Sequence, residues 1–456
     1  MDAYRYERDS LGEVAIPADA IWGAQTQRAV DNFDFSGYCI PDAMRRSIGL
    51  IKAAAAFANV KLQRLSPEIG NAIEKTGLEI WQGAYAEAFP VEIFQTGSGT
   101  SWNMNANEVI ARLATQLSQV TVHPNDHVNM GQSSNDVIPS AINVACLVEG
   151  AILEKQIKGL MKTVYDKALE FHDVVKLGRT HLQDAVPVRL GDGFAAVVTH
   201  LQQCLDSLIT SRNYLQVLAL GGTAAGTGLN THPQFAMLAC ERMNEITGYS
   251  LEPSAVPSAE MNCRLPQVSL MGALQMLAVV LQRWCVDLRL LSSGPNGGLG
   301  EINLPELQPG SSIMPGKINP VIPEAVQQIA VHVSAKQTAV AWAASQGPLE
   351  LNIMFPLIAY ESLESLRLLA NACYGLSERC VRGITANRDV CRQQVESSLA
   401  LITKIAEDIG YDRAAKIALK AQRENRTLRN VMIEEEGFSD KDCDKLLDPL
   451  SMLPEK

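Results

Sequence analysis

Four polar segments interrupt a 456-residue chain that is otherwise 47% hydrophobic: Gln95–Asn105 (QTGSGTSWNMN), Gly131–Asp136 (GQSSND), Gly178–Ala185 (GRTHLQDA) and Gly310–Glu324 (GSSIMPGKINPVIPE). Each gathers hydroxyls, amides or a cation around glycine. Any one alone reads as a turn or helix cap, for which Ser, Thr, Asn and Gly are suited. Together they describe a site. Three hydroxyl clusters, a histidine (His181) preceded by Arg179 and Thr180, and a lysine (Lys317) set between Pro315 and Pro320 supply the donors that a small dianion needs. Converging ammonium, amide and hydroxyl groups can bind two carboxylates without a metal.

Other chemistries fit less well. His123 and His127 sit four apart, yet Pro124, Asn125 and Asp126 between them favour a turn, so no metal site is expected there. The ten cysteines are scattered, with no CxxC pair and no histidine at zinc spacing, and read as buried free thiols. Gly221–Gly228 (GGTAAGTG) follows a helical stretch ending near Leu220, whereas a dinucleotide fingerprint follows a strand. That run and Gly294–Gly300 (GPNGGLG) are expected to be tight turns or points of backbone approach to a ligand.

Long apolar segments must position these blocks. About Val148–Phe171, Phe194–Leu215, Pro266–Leu291, Ile322–Ser345 and Pro356–Val381 read as helices, by length and by near absence of internal Pro or Gly. In Gln267–Leu291 apolar residues surround the axis almost completely, as in a helix buried on most sides. Its apolar stretch is short for a bilayer span and is broken by Gln275, so the interior of an oligomeric bundle is expected. Punctuation by Gly, Pro and Asn before Val137, and charged shorter repeats after about Ala386, suggest three parts. These are residues 1–136 (mixed helical), 137–386 (central helix bundle) and 387–456 (small, helical). A formal charge of -11 argues against nucleic acid and anionic membranes, which bind clustered Lys and Arg. The charged start MDAYRYERDSLGE lacks the apolar stretch of an export signal, so a cytoplasmic location is expected.

GSSIMPGKINP resembles the signature loop of the fumarase/aspartase superfamily, and the other three blocks resemble that family's remaining active-site segments, in order. The likeness also takes in Arg5–Gly12, Trp22–Arg28, Val122–Asn129, Gly221–Asn230 and Gly410–Ala414. It implies a mainly α, three-domain subunit with a central bundle of long helices, a homotetramer whose active sites are shared between subunits, and no metal or cofactor. The reaction it implies removes a proton beside one carboxylate of a succinate skeleton, passes through an aci-carboxylate, and expels a group from the next carbon to give fumarate. In those terms Ser311 is the base. Lys317 and Asn319, helped by Thr180, bind one carboxylate, while Thr100, Ser133, Ser134 and Asn135 contact the other carboxylate and the leaving group. His181 lies on the leaving-group side and pairs with Glu324.

The leaving group is read from finer likenesses. Gly316 in MPGK resembles fumarases and aspartases rather than relatives that cleave larger succinates. Val321–Glu324 (VIPE) and Glu301–Leu307 (EINLPEL) resemble aspartases, whereas Gln132–Asp136, Val122–Asn129 and Leu218–Pro233 resemble fumarases. The leading expectation is L-aspartate to fumarate plus ammonia. The alternatives are a class II fumarate hydratase, which adds or removes water, and a lyase for a substituted aspartate. The last of these is kept open because Trp102 and Gly131, which flank the substrate blocks, and Arg264, within Asn262–Pro266 (NCRLP), depart from both subfamilies. A non-catalytic structural homologue comes last, since Ser311, Lys317, Asn319 and His181 are all present.

Overall fold

In the computed structural model, which describes residues 4–453, the chain opens on an antiparallel hairpin of β1 (Tyr4–Asp9) and β2 (Gly12–Pro17). Helices α1 (Ala24–Asn32), α2 (Asp42–Lys61), α3 (Pro67–Trp81) and α4 (Thr100–Ser118) follow. Next come α5 (Ser134–Glu170), a second hairpin of β3 (Val175–Thr180) and β4 (Gln183–Arg189), and α6 (Leu190–Tyr214). Beyond them are α7 (Phe235–Thr247), α8 (Pro257–Asn262), α9 (Leu265–Leu291), α10 (Val321–Ala344) and α11 (Phe355–Arg379). The chain ends in five shorter helices, α12 (Arg388–Ser397), α13 (Ile402–Ile409), α14 (Tyr411–Glu424), α15 (Leu428–Glu436) and α16 (Asp440–Leu446).

The fold is mainly α, built on the long helices α5, α6, α9, α10 and α11. All five segments expected to be helical are helical, with ends within a few residues except at the start of α5. That helix begins at Ser134, well before Val148, and carries Pro139 in its second turn. The missing N–H of Pro139 leaves one carbonyl of the first turn without its helical partner, and burial of the turns around it, Val137, Ile138, Ala141 and Ile142 all at 0% exposure, outweighs that loss.

By contacts the chain divides into two compact units, a cut that differs from the sequence-order breaks expected at 136 and 386. The first holds the described residues through Lys155, with Cys204–Ala278 and Val331–Ala370. The second holds Gln156–Gln203, Val279–Ala330 and the described residues from Asn371 onward. In the first unit α2 packs on α3 and α7, and α3 on α4. Asn143 of α5 accepts from Gln267 of α9 at 2.7 Å, and Lys336 of α10 pairs with Glu361 and Glu364 of α11. In the second unit Phe171, Phe194 and Trp284 stack edge to face, and the Thr163 and Ser377 hydroxyls bond at 2.8 Å. A separate core in this unit joins Leu177 to Val395, Ile405, Ile417, Val431 and Met432 of the short helices.

Among the described residues two helices, α5 and α9, are long and apolar enough to cross a membrane by length and composition. Their most apolar windows are 78% and 44% buried within the chain, so α5 is a core helix while α9 leaves apolar surface uncovered.

Candidate active site

In the first unit the hydroxyl blocks stand at two helix N-termini. Gln95–Gly99 turns into α4 through Gly99, whose φ of +69° is the left-handed conformation that glycine adopts without strain. A Cβ at Gly97 would fall 2.0 Å from the Ile353 carbonyl oxygen, so this block lies with its backbone directly against another. Here the Ser98 and Thr100 hydroxyls bond each other at 2.7 Å, and those of Thr96 and Ser101 at 3.1 Å. Ser101 N donates to Gln95 Oε1 at 3.1 Å, and the N-terminus of this 19-residue helix adds positive potential to these donors, which suits an anion.

The second block begins α5. Ser133 Oγ accepts from Asn135 N at 3.2 Å, Asn135 Nδ2 donates to the Ala224 carbonyl at 2.8 Å, and Ser134 Oγ accepts from Asn103 Nδ2 at 3.2 Å. Asp136, 0% exposed, ties the block together by accepting from Ser133 N (2.9 Å), Gly221 N (3.0 Å) and Thr223 N (2.9 Å). The glycine run at Gly221 is therefore a backbone cradle for this carboxylate. Burial raises Asp136 to about 6 despite those N–H groups and the nearby charge of Lys52. Thr100, Ser133, Ser134 and Asn135 are thus held together in one unit.

The second unit holds the remaining expected residues. His181 and Leu182 form the two-residue turn of the β3–β4 hairpin, with φ of 55° and 60°. Positive φ at both central positions matches the right-handed twist of the paired strands, and it is unusual for residues with a Cβ. The turn presents Thr180 and His181 exposed at the tip. Below it, the buried carboxylate of Glu301 takes Arg179 Nη1 at 2.7 Å and stands 3.1 Å from Lys176 Nζ. Arg179 Nη2 donates onward to Gln394 Oε1 at 2.9 Å.

The loop between Gly310 and Pro320 is closed at its base, where Gly310 N donates to the Lys317 carbonyl (2.9 Å) and Asn319 Nδ2 to the Gly310 carbonyl (2.8 Å). Ser311 Oγ accepts from Ile313 N at 3.1 Å and Met314 N at 2.9 Å. Ser311 and Lys317 line one groove of about 440 Å³. Glu324 lies in the first turn of α10, half-buried. Within one chain no hydrogen bond or ion pair joins it to His181 among the described residues.

The profile of a family described as Lyase matches residues 12–335, and that of the fumarase C C-terminus matches residues 401–454. The chain belongs to the fumarase/aspartase superfamily of lyases. It is 45% identical to fumarate hydratase class II 2 of Pseudomonas aeruginosa over 98% of this chain and 97% of that one. Among solved structures it resembles the class II fumarase of Schistosoma mansoni (TM-score 0.93, 37% identity, 98% and 99% of the two chains covered). It also resembles a fumarate lyase:delta crystallin of Brucella melitensis (TM-score 0.95, 42% identity, 99% and 100% covered).

In this superfamily member the residues that depart from the subfamily patterns are structural. Trp102 is 0% exposed and its indole N–H donates to the Val91 carbonyl at 3.2 Å, so it packs behind the hydroxyl block and does not line it. Gly131 has φ +71°, and a Cβ there would sit 2.9 Å from Thr231 Oγ1. Arg264, also 0% exposed, spends its guanidinium on the Glu260 and Pro139 carbonyls and on Asn143. His123 caps a π-helical turn, Pro124–Val128, and His127 lies within it. His123 Nδ1 accepts from Asn125 N and Asp126 N, and His127 Nδ1 accepts from His123 N. Eight of the ten cysteines are buried, Cys263 is partly so and Cys39 is exposed.

Reading the sequence missed the groups beneath the lyase blocks: Lys52, Asn103, Asn129, Asp136, and the ion pairs of Glu301. One signal existed for Lys52, a single cation inside the apolar run Ile48–Ala58 (IGLIKAAAAFA). Asn103, Asn129, Asp136 and Glu301 lie inside segments singled out above, but nothing in their spacing marked these roles.

Proposed function

We propose that this chain is a class II fumarate hydratase, interconverting fumarate and L-malate. The observation that carries the leaving group is the near full-length likeness to proteins named fumarate hydratase class II, at 43–46% identity. It favours water over the ammonia that Val321–Glu324 and Glu301–Leu307 had suggested. Those segments have structural work of their own. Val321–Pro323 start α10 and share one narrow crevice with Leu304, Pro305 and Leu307, while Glu301 is spent on Lys176 and Arg179.

The reaction type draws support from Ser311. Two backbone N–H groups aimed at its Oγ stabilise the deprotonated oxygen, the form a base needs, and Lys317 in the same groove supplies a cation for the aci-carboxylate. In this reading Ser311 takes the proton from the carbon beside one carboxylate of malate, and Lys317, Asn319 and Thr180 hold the charge that develops. Thr100, Ser133, Ser134 and Asn135 bind the other carboxylate, and His181 with Glu324 serves the departing water. Sharing of the site between subunits of a homotetramer belongs to the same proposal. It is supported by apolar residues left exposed along α9 and α10, among them Met276 (45%), Val279 (59%), Val331 (63%) and Trp342 (70%), which a monomer leaves in water.

Initial rates of fumarate absorbance from L-malate and from L-aspartate test the reading, with light scattering for the mass in solution. Turnover of malate by a particle of four chains is expected. Turnover of aspartate without malate overturns the hydratase.

A further inference from the structure

We propose that Lys52 is a positioning residue that aims the hydroxyl proton of Ser134 at a substrate carboxylate, acting through Asn129 and Asn103. The proposal rests on the reading of Ser134 as a substrate contact. Lys52 lies in α2, 0% exposed and followed by four alanines. Its Nζ donates to Asn129 Oδ1 at 2.8 Å and to Gln132 Oε1 at 3.0 Å. An amine with hydrogens on both contacts leaves neither amide free to turn over. Asn129 then presents Nδ2 to the Gln132 carbonyl at 3.2 Å, and Gln132 Nε2 reaches the Val128 and Met130 carbonyls at 3.1 and 3.3 Å.

The next group inherits that polarity. Asn129 Oδ1 also faces Asn103, which must therefore offer nitrogen, and the same Asn103 Nδ2 donates to Ser134 Oγ, both at 3.2 Å. Turned over, Asn103 would set oxygen against oxygen. Ser134 Oγ is thereby an acceptor inside the protein, and among the described residues no hydrogen bond takes its own proton. A carboxylate has only lone pairs to offer, so a hydroxyl with its proton free is the complement it needs. Burial pushes Lys52 down to about 7, and the charge facing it, Asp136 of α5, works in the opposite direction. The relay does not depend on which form is present, because two N–H bonds suffice for two oxygens.

A double-mutant cycle on the intact protein, with L-malate as the varied substrate, separates positioning from mere packing. Ser134→Ala is expected to raise KM about tenfold, since a hydrogen bond to a charged group is lost. Lys52→Met should raise KM by a similar factor with kcat within about threefold, because binding and not chemistry is disturbed. In the Ser134→Ala background Lys52→Met should add less than about twofold, the two residues acting as one unit. Asn103→Leu carries the same cycle if Lys52→Met does not fold. Additive effects on KM, or a fall in kcat alone, overturn the relay while Ser134 stays a substrate contact. An unchanged KM in Ser134→Ala removes that contact and the relay with it.

Discussion

The Gly131–Asp136 block and the Gly310–Pro320 loop carry hydroxyls of the same chemical type in opposite settings. Around Ser134 the supporting side chains are tied to one another, the carboxylate of Asp136 is fully buried, and α2, α4 and α5 all contribute. Around Ser311 the partners are two N–H groups of the same loop, Ile313 is 86% exposed, and a Cβ at Gly316 would meet nothing within 4 Å. A serine that only binds gains from being fixed in advance, because its donor direction is set before the substrate arrives. A serine that must act as a base gains from a loop with little holding it, since such segments open and close at low cost and can exclude water when closed.

The sharpest way to break this contrast is to remove the base. Ser311→Ala should lower kcat by about 10²–10⁴-fold, the usual worth of a general base, with KM for L-malate nearly unchanged. Stopped-rate assays at saturating malate measure it. Retention of full kcat would move the chemistry out of the loop. Asp136→Asn attacks the other side. One buried acceptor is replaced by an amide whose nitrogen faces N–H groups, so a loss of about 1–3 kcal/mol is expected in urea unfolding, together with a raised KM from a loosened Gly221–Thr223 cradle. Unchanged stability would mean that those three contacts add little beyond what water supplies to the unfolded chain.

Two glycines sharpen the comparison further. Gly99 and Gly316 both have positive φ, at +69° and +81°, so alanine costs either position about 1–2 kcal/mol of backbone energy. Only at Gly99 does the new Cβ also collide, 2.9 Å from Ile138. Gly99→Ala should therefore lower the thermal midpoint more than Gly316→Ala does. The effect of Gly316→Ala should instead appear in kcat, through the conformations open to the loop. Equal shifts in midpoint would show that the two blocks are equally constrained.

The long helices and the exposed loop were legible in sequence, for one physical reason. Apolar runs without Pro or Gly have few alternatives to a helix, and a loop of Gly, Ser, Lys and Pro has none that buries. Ser311, Lys317 and Asn319 were named from such a loop, and their contacts in the structure are local in sequence. Supports of the other block come from distant positions, 77 from Lys52 to Asn129 and 87 from Asp136 to Thr223, and no local pattern encodes them. The start of α5 at Ser134 was not read from sequence, and there the buried turns around Pro139 outweigh the proline's lost hydrogen bond. Trp102 and Arg264 looked like specificity residues because they depart from the patterns of both subfamilies. Their complete burial makes them packing residues, a distinction that residue type alone does not carry.

The last expected effect concerns the pH dependence of stability that the buried pair imposes. Burial lowers Lys52 from 10.5 to about 7, so between those values the unfolded chain holds a proton that the folded chain has released. Stability rises with pH wherever the unfolded state binds more protons, and the Lys52 contribution should therefore increase from about pH 7 towards 10. Asp136 works at lower pH with the opposite slope. Its value is raised from 3.8 to about 6, so the folded chain keeps a proton the unfolded one has lost, and stability should fall as pH rises through that window. Urea midpoints for the native chain, Lys52→Met and Asp136→Asn across pH 4 to 9.5 resolve the two slopes by difference. Lys52→Met should lose the upward slope above pH 7, and Asp136→Asn the downward slope below 6. Parallel curves for all three proteins would mean that the pair takes up and releases its protons in the folded chain much as it does in water, and the buried block would then be no better insulated than the exposed loop.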